Sequence, residues 1–99
     1  MPVVLIARFV GDVDQLTRAY DQAHRTIMDA GGAPGELRHH CAVDEEALYI
    51  IGVWASDEAF RTRWASPEFE STLKAAGFPS PQSAEVTVLQ LHAIEPPLD

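Results

Sequence analysis

Cysteine is nearly missing from this sequence, with Cys41 standing alone among 99 residues. A single thiol excludes an intrachain disulfide and any cysteine framework for zinc, and it agrees with a reducing compartment. Basic residues are scarce too. Seven Lys and Arg face fifteen Asp and Glu, and the formal net charge of -8 has the wrong sign for phosphate backbones or anionic lipid. Neither nucleic acid nor a membrane is expected as a partner. No apolar run approaches the roughly 20 residues of a bilayer span. Met1-Pro2-Val3-Val4-Leu5 lacks the basic start and small-residue cleavage site of a signal peptide, so a soluble, cytoplasmic protein is the expectation. No glycine-rich phosphate loop, no Gly-x-Ser-x-Gly elbow and no flavin or nicotinamide motif occurs. Nucleotide use and serine chemistry lack support, and no cofactor is expected.

What is present fits one small core. A hydrophobic share of 46% over 99 residues suits a single domain spanning 1–99, with no room for a separate cofactor domain. A chain this short leaves an apolar face or sheet edge for a second copy to complete, so a homodimer is expected.

Residues 3–10, Val3-Val4-Leu5-Ile6-Ala7-Arg8-Phe9-Val10, form a nearly continuous apolar run rich in β-branched residues, the pattern of a central strand covered on both faces. Gly11 breaks it, and Asp12 followed by Gln15 resembles a capping box that starts a helix at Val13. Val13, Leu16, Tyr20, Ala23 and Ile27 draw one apolar stripe along that helix. Asp14 with Arg18 and Asp21 with Arg25 are spaced for i,i+4 pairs on its wet side. Gly31-Gly32 and Pro34 end it.

Glu36 to Ala42 reads as a polar edge strand, Asp44-Glu45-Glu46 as an acidic turn, and Leu48 to Trp54 as a second strongly apolar strand, the last two strands forming a hairpin. Ser56 and Ser66 are each placed to cap a helical turn, with Pro67 at the first position of the second. Phe60 and Trp64, then Phe69, Leu73 and Ala76, mark the buried faces, and Gly77 closes the segment. Val86 to Ile94 is the last strand, followed by a loose tail.

The order is βαββαβ, an α+β ferredoxin-like arrangement: an antiparallel sheet with the helices on one face. The first and third strands are expected side by side and parallel. Right-handed crossovers put both helices on the same side and leave the other sheet face uncovered.

Trp54-x-Ser56-x-x-Ala59-Phe60 followed by Ser66-Pro67-Glu68-Phe69 resembles the signature of the antibiotic biosynthesis monooxygenase family and, more widely, the dimeric α/β-barrel superfamily. The resemblance implies two chains closing their open sheet faces into a barrel, with a pocket in each chain between sheet and helices. It also implies an activity among cofactor-free oxygenases of polyketide-like phenols, quinol oxygenases or haem-degrading enzymes, with Trp54 at a pocket position. The haem-degrading pattern places His where this chain has Leu73, and Asn where it has Ala7 and Arg8, so haem degradation is not carried over.

A few polar and aromatic side chains carry the chemical argument. Arg8 is a charge in a central strand and must be paired, in one reading by a carboxylate of a partner chain, or must face a wet cavity, where it would hold an enolate or phenolate. His39 and Cys41 share a strand face, about 7 Å apart, while His40 points the other way. A metal would need a third ligand such as His92, and the spacing matches no zinc motif, so no metal is expected. Gln90 and His92 place polar groups on the face they share with Val88, and His92 has the pKa class of a general base. Trp54, Tyr49, Phe60 and Trp64 are core aromatics that double as substrate-binding candidates, with Tyr49 and Trp54 on opposite faces.

Two readings follow. One is a cofactor-independent oxygenase or isomerase acting on a small apolar phenolic, quinol or polyketide-like substrate, with Arg8, His92 and His39 as catalytic candidates and Trp54, Tyr49, Gln90, Phe60 and Trp64 as substrate contacts. The other is a non-catalytic dimeric ligand-binding or structural protein that keeps the fold.

Overall fold

Strand β1 (Val3–Val10) is buried at every second residue: Val3, Leu5, Ala7 and Phe9 are packed away while Val4, Ile6 and Arg8 are only half-buried. The apolar run therefore has one fully covered face within the chain, where two were expected. The computed structural model describes residues 1–98. Helix α1 (Val13–Asp29) follows, then β2 (Glu36–Val43), β3 (Ala47–Trp54), α2 (Asp57–Trp64), α3 (Pro67–Ala75), a 3-10 turn (Pro81–Ser83) and β4 (Glu85–Gln90).

The four strands form one antiparallel sheet in the order β2-β3-β1-β4. β1 and β3 are neighbours, from Val3 opposite Trp54 to Val10 opposite Ala47, but they run antiparallel and not parallel. The reason is connectivity. Helix α1 returns the chain so that β2 runs in the direction of β1 one place away, and the tight turn at Asp44 then reverses β3 into the gap between them. That turn is held by Asp44 Oδ1, which accepts from the backbone N–H groups of Glu46 and Ala47, both at 2.9 Å.

The caps fall where the hydroxyl and carboxylate residues predict. Asp12 accepts from Gln15 N at 3.1 Å, Ser56 from Ala59 N at 3.0 Å and Ser66 from Phe69 N at 3.3 Å. The Asp14–Arg18 and Asp21–Arg25 pairs do not close. Among the described residues the helical i,i+4 ion pair is Asp57–Arg61, at 2.9 Å.

Helices pack on the face of Leu5, Phe9, Leu48 and Trp54, and a run of edge and tilted ring contacts joins Trp54 to Phe60 (5.9 Å), Phe60 to Trp64 (5.1 Å) and Trp64 to Phe69 (5.3 Å). Gly35, at φ +88°, lets the loop after α1 lie against α2; a Cβ there would meet Ala59 Cβ at 2.8 Å.

Strand β4 stops at Gln90 and does not reach Ile94, because its partner runs out: Gln90 pairs with Val3, the first residue of β1. Leu91 N still donates to Pro2 O at 3.0 Å, and the chain then leaves the ladder. No helix among the described residues is long and apolar enough to cross a membrane.

Candidate active site

A bulge in β2 builds the site. Glu36 lies opposite Trp54 and Arg38 opposite Val53, so Leu37 is an extra residue in the ladder. On a regular strand, residues three apart point to opposite faces. The extra residue restores the phase, and Glu36 and His39 both point beneath α1. Glu36 Oε2 lies 2.9 Å from His39 Nδ1, and His39 Nε2 lies 2.6 Å from the hydroxyl of Tyr20 on α1. A carboxylate only accepts, so Nδ1–H donates to Glu36, and Nε2 is left facing the Tyr20 hydroxyl.

Tyr20, His24 and His39 stack nearly parallel, with centroids 5.1 to 5.9 Å apart. This fixes the ring planes of the relay. Burial, followed by the negative fields of Cys41, Glu36 and Asp21, raises the Tyr20 phenol well above its ordinary value, so it stays a hydrogen-bond donor.

These side chains wall a cavity of about 80 Å³ between α1, the β2–β3 half of the sheet and the α2–α3 segment. Its other walls include Ile27, Ile50, Trp54, Trp64, Leu73 and Phe78, and Arg63 enters from α2. Gly52 stands directly across from His39 in the ladder. A Cβ there would lie 2.9 Å from Glu36 Oε2 and 3.1 Å from Trp54 Nε1, so the missing side chain is the room those two polar atoms occupy.

His39, Trp54 and Trp64 come together in this cavity, while Phe60, 1% exposed, sits behind them in the core. Arg8 and Tyr49 stand on the opposite sheet face. There Arg8 donates to Tyr49 Oη at 3.2 Å and to Glu85 at 3.0 Å, with Glu46 at 3.6 Å, and Tyr49 donates to Asp44 at 2.7 Å. The carboxylates beside Arg8 thus belong to its own chain. Gln90, at the end of β4, and His92, beyond it, are exposed and do not line the cavity. Cys41 shares the helix-side face with His39, half-buried, and burial with a further push from Asp21 raises its thiol to about 11. Among the described residues no three His, Cys, Asp or Glu side chains gather as a metal site.

Glu36, Tyr20, His24 and Arg63 were not evident as site residues in the sequence. Tyr20 and His24 had one available signal: an i,i+4 pair of polar rings beside an otherwise apolar stripe.

The fold is that of the antibiotic biosynthesis monooxygenase-like proteins, matched over most of the chain. SnoaB, a cofactor-independent oxygenase from Streptomyces nogalater, is similar at 19% identity and a TM-score of 0.67, over 96% of this chain and 97% of that one. A Deinococcus radiodurans protein provisionally named an antibiotic biosynthesis monooxygenase is similar at 13% identity and a TM-score of 0.64, over 93% and 94%. A Nitrosomonas europaea protein of unknown function gives 14% identity and a TM-score of 0.68, over 99% and 96%. No protein-family model and no curated protein matches the sequence.

Proposed function

We propose that this chain is a cofactor-independent oxygenase of the antibiotic biosynthesis monooxygenase type, acting on a small phenolic, quinol or polyketide-like substrate. The carrying observation is the Tyr20–His39–Glu36 hydrogen-bond chain opening on an apolar cavity. SnoaB, of similar fold, supports the reading by its own activity. The substrate gives a proton to Tyr20 Oη as the Tyr20 proton moves to His39 Nε2, and Glu36 holds the resulting imidazolium. Burial raises the Tyr20 phenol, so it stays protonated at rest and passes a proton between substrate and His39. The substrate anion adds to dioxygen, and the peroxide takes the proton back along the same path. Loss of water then leaves a carbonyl, so an activated methylene and one dioxygen give a carbonyl and a water, with all electrons from the substrate. In the absence of dioxygen the same proton transfer isomerises the substrate.

The cavity of about 80 Å³ is smaller than the roughly 150 Å³ that takes one benzene. A ring therefore enters by displacing Met28, 56% exposed on the last turn of α1, whose unbranched side chain moves readily. The working form is a cytoplasmic homodimer closed over the open sheet face.

Oxygen uptake with an anthrone and hydroquinone panel, corrected for autoxidation, tests the reading. His39→Gln and Tyr20→Phe should each lower the rate by about 100-fold or more while leaving ligand affinity in place. A parent protein that binds the panel without oxygen uptake, or variants as fast as the parent, would favour a ligand-binding protein.

A further inference from the structure

Tyr20, His39 and Glu36 stand in the order of a nucleophile, a base and the carboxylate that orients the base. Tyr20 Oη lies 2.6 Å from His39 Nε2, and His39 Nδ1 lies 2.9 Å from Glu36 Oε2. Both distances fall within the roughly 2.6–3.2 Å that lets a base take the proton of a hydroxyl nucleophile while a third group holds the base. Such a set is recognised by geometry and role, not by its order in the chain. The other tyrosine makes the contrast. Tyr49 is hydrogen-bonded to Asp44 at 2.7 Å and to Arg8 at 3.2 Å, with an imidazole at neither bond, and the lowered Asp44 carboxyl is a poor base. Size selects the ligand. The cavity walled by Tyr20 and His39 holds about 80 Å³, less than the roughly 150 Å³ that takes benzene, so a short acyl group enters before any ring does.

We propose that Tyr20 is the nucleophile of an acyl-transfer site, a further activity that takes neutral esters of short carboxylic acids with a good leaving group. Tyr20 Oη bonds to the carbonyl carbon as its proton passes to His39 Nε2. The bond from that carbon to the ester oxygen breaks, and the departing oxygen takes the proton from Nε2. Glu36 accepts from Nδ1–H throughout and is a positioning residue. Water then adds to the acyl-tyrosine and gives its proton to Nε2, from which Tyr20 recovers it as the acid leaves. No atom changes oxidation state, so the cycle needs water alone and goes beyond the oxygenase reading. Burial raises the Tyr20 phenol, which makes its anion a strong nucleophile and a slow leaving group, so the acyl-tyrosine accumulates.

4-Nitrophenyl acetate is the probe, used without oxygen. The parent protein should release a burst of about one 4-nitrophenolate per chain, and mass spectrometry of its peptides should find the acetyl group on Tyr20 and none on Tyr49. Tyr20→Phe should lose burst and label together. His39→Gln keeps a polar neighbour for the phenol but takes no proton, and should slow labelling about 100-fold or more. Each variant is checked by thermal melting, and the labelled position in the parent decides the matter even where a variant fails to fold. Acetyl on His39 or Lys74 in place of Tyr20, equal labelling of both tyrosines, or His39→Gln as fast as the parent overturns the proposal. Acetyl-Tyr20 in a protein that takes up no oxygen with the anthrone panel keeps acyl transfer and removes the oxygenase reading. Oxygen uptake by a protein never acetylated at Tyr20 does the reverse.

Discussion

Gly52 matters for what it leaves out. Its φ is not in the left-handed region, so alanine there strains no backbone, and the atoms nearest the new Cβ are Glu36 Oε2, Trp54 Nε1 and, at 3.4 Å, Arg38 O. The Glu36 carboxylate can swing aside, but doing so breaks its contact with His39. The Trp54 indole is locked in the core. Gly52→Ala is therefore expected to cost about 1–3 kcal/mol in stability, and to release the fixed His39 tautomer, read as a change in the imidazole nitrogen chemical shifts. A variant with parental shifts would mean that the relay does not depend on this space. Cys41 gives a second test at the same scale. With its thiol raised from 9.0 to about 11, the thiolate fraction at neutral pH is on the order of a hundredfold below that of an ordinary cysteine. Reaction with a disulfide reagent should be slow in the folded protein and speed up in urea, and fast labelling of the native chain would contradict the burial.

At the scale of elements, the β2–β3 hairpin carries a pH dependence. The Tyr49 hydroxyl, then the Glu46 and Ala47 N–H groups and the Arg8 charge, hold the Asp44 carboxyl below its ordinary 3.8 against a smaller opposing push from desolvation. A lowered folded-state pKa means that this stabilisation is complete above the ordinary value and is lost as pH falls through the folded one. Denaturant unfolding from pH 6 to 2 should show Asp44→Asn with a shallower acid decline than the parent, and identical slopes would exclude the effect. The hairpin also shows what the sequence disclosed. Edge character, turn and strand limits were legible from composition and alternation, and His39 with Cys41 on one face followed from parity alone. The bulge at Leu37 was not, because an extra residue in a ladder is fixed by the register of the partner strand, and it alone brings Glu36 into phase with His39. Likewise β4 looked apolar to Ile94, but a strand ends where its neighbour ends, and that put His92 outside the ladder.

At the scale of the whole molecule, the open sheet face is mixed in character. Val4, Ile6 and Ile51 are half-buried and Leu89 is exposed, while Val53, on the same face, is 6% exposed although every helix lies on the other side. The segment after β4 accounts for this. It leaves beside Pro2 and returns to the far edge, where Arg38 Nη2 donates to Pro97 O at 3.4 Å, level with the row that Val53 shares with Val4 and Arg38. The rest of the face, with Arg8 near its middle, is where the proposed second copy sits. In an isolated chain the Arg8 side chain is 28% exposed and its partners Glu46 and Glu85 are 78% and 73% exposed, so solvent screens both pairs and they add little to stability. Under a dimer seam the same charges would lose water, and removing Arg8 would leave two carboxylates desolvated and uncompensated, which weakens the association. Arg8→Met should therefore barely change the unfolding of a monomer but should raise the dissociation constant of a dimer at least about tenfold. Removing the two uncompensated charges with Glu46→Gln and Glu85→Gln in the Arg8→Met background should recover the association. Sedimentation across a concentration series reads all three proteins. A parent that stays at 10.9 kDa removes the dimer, and an association that Arg8→Met leaves unchanged moves the interface to another face of the sheet.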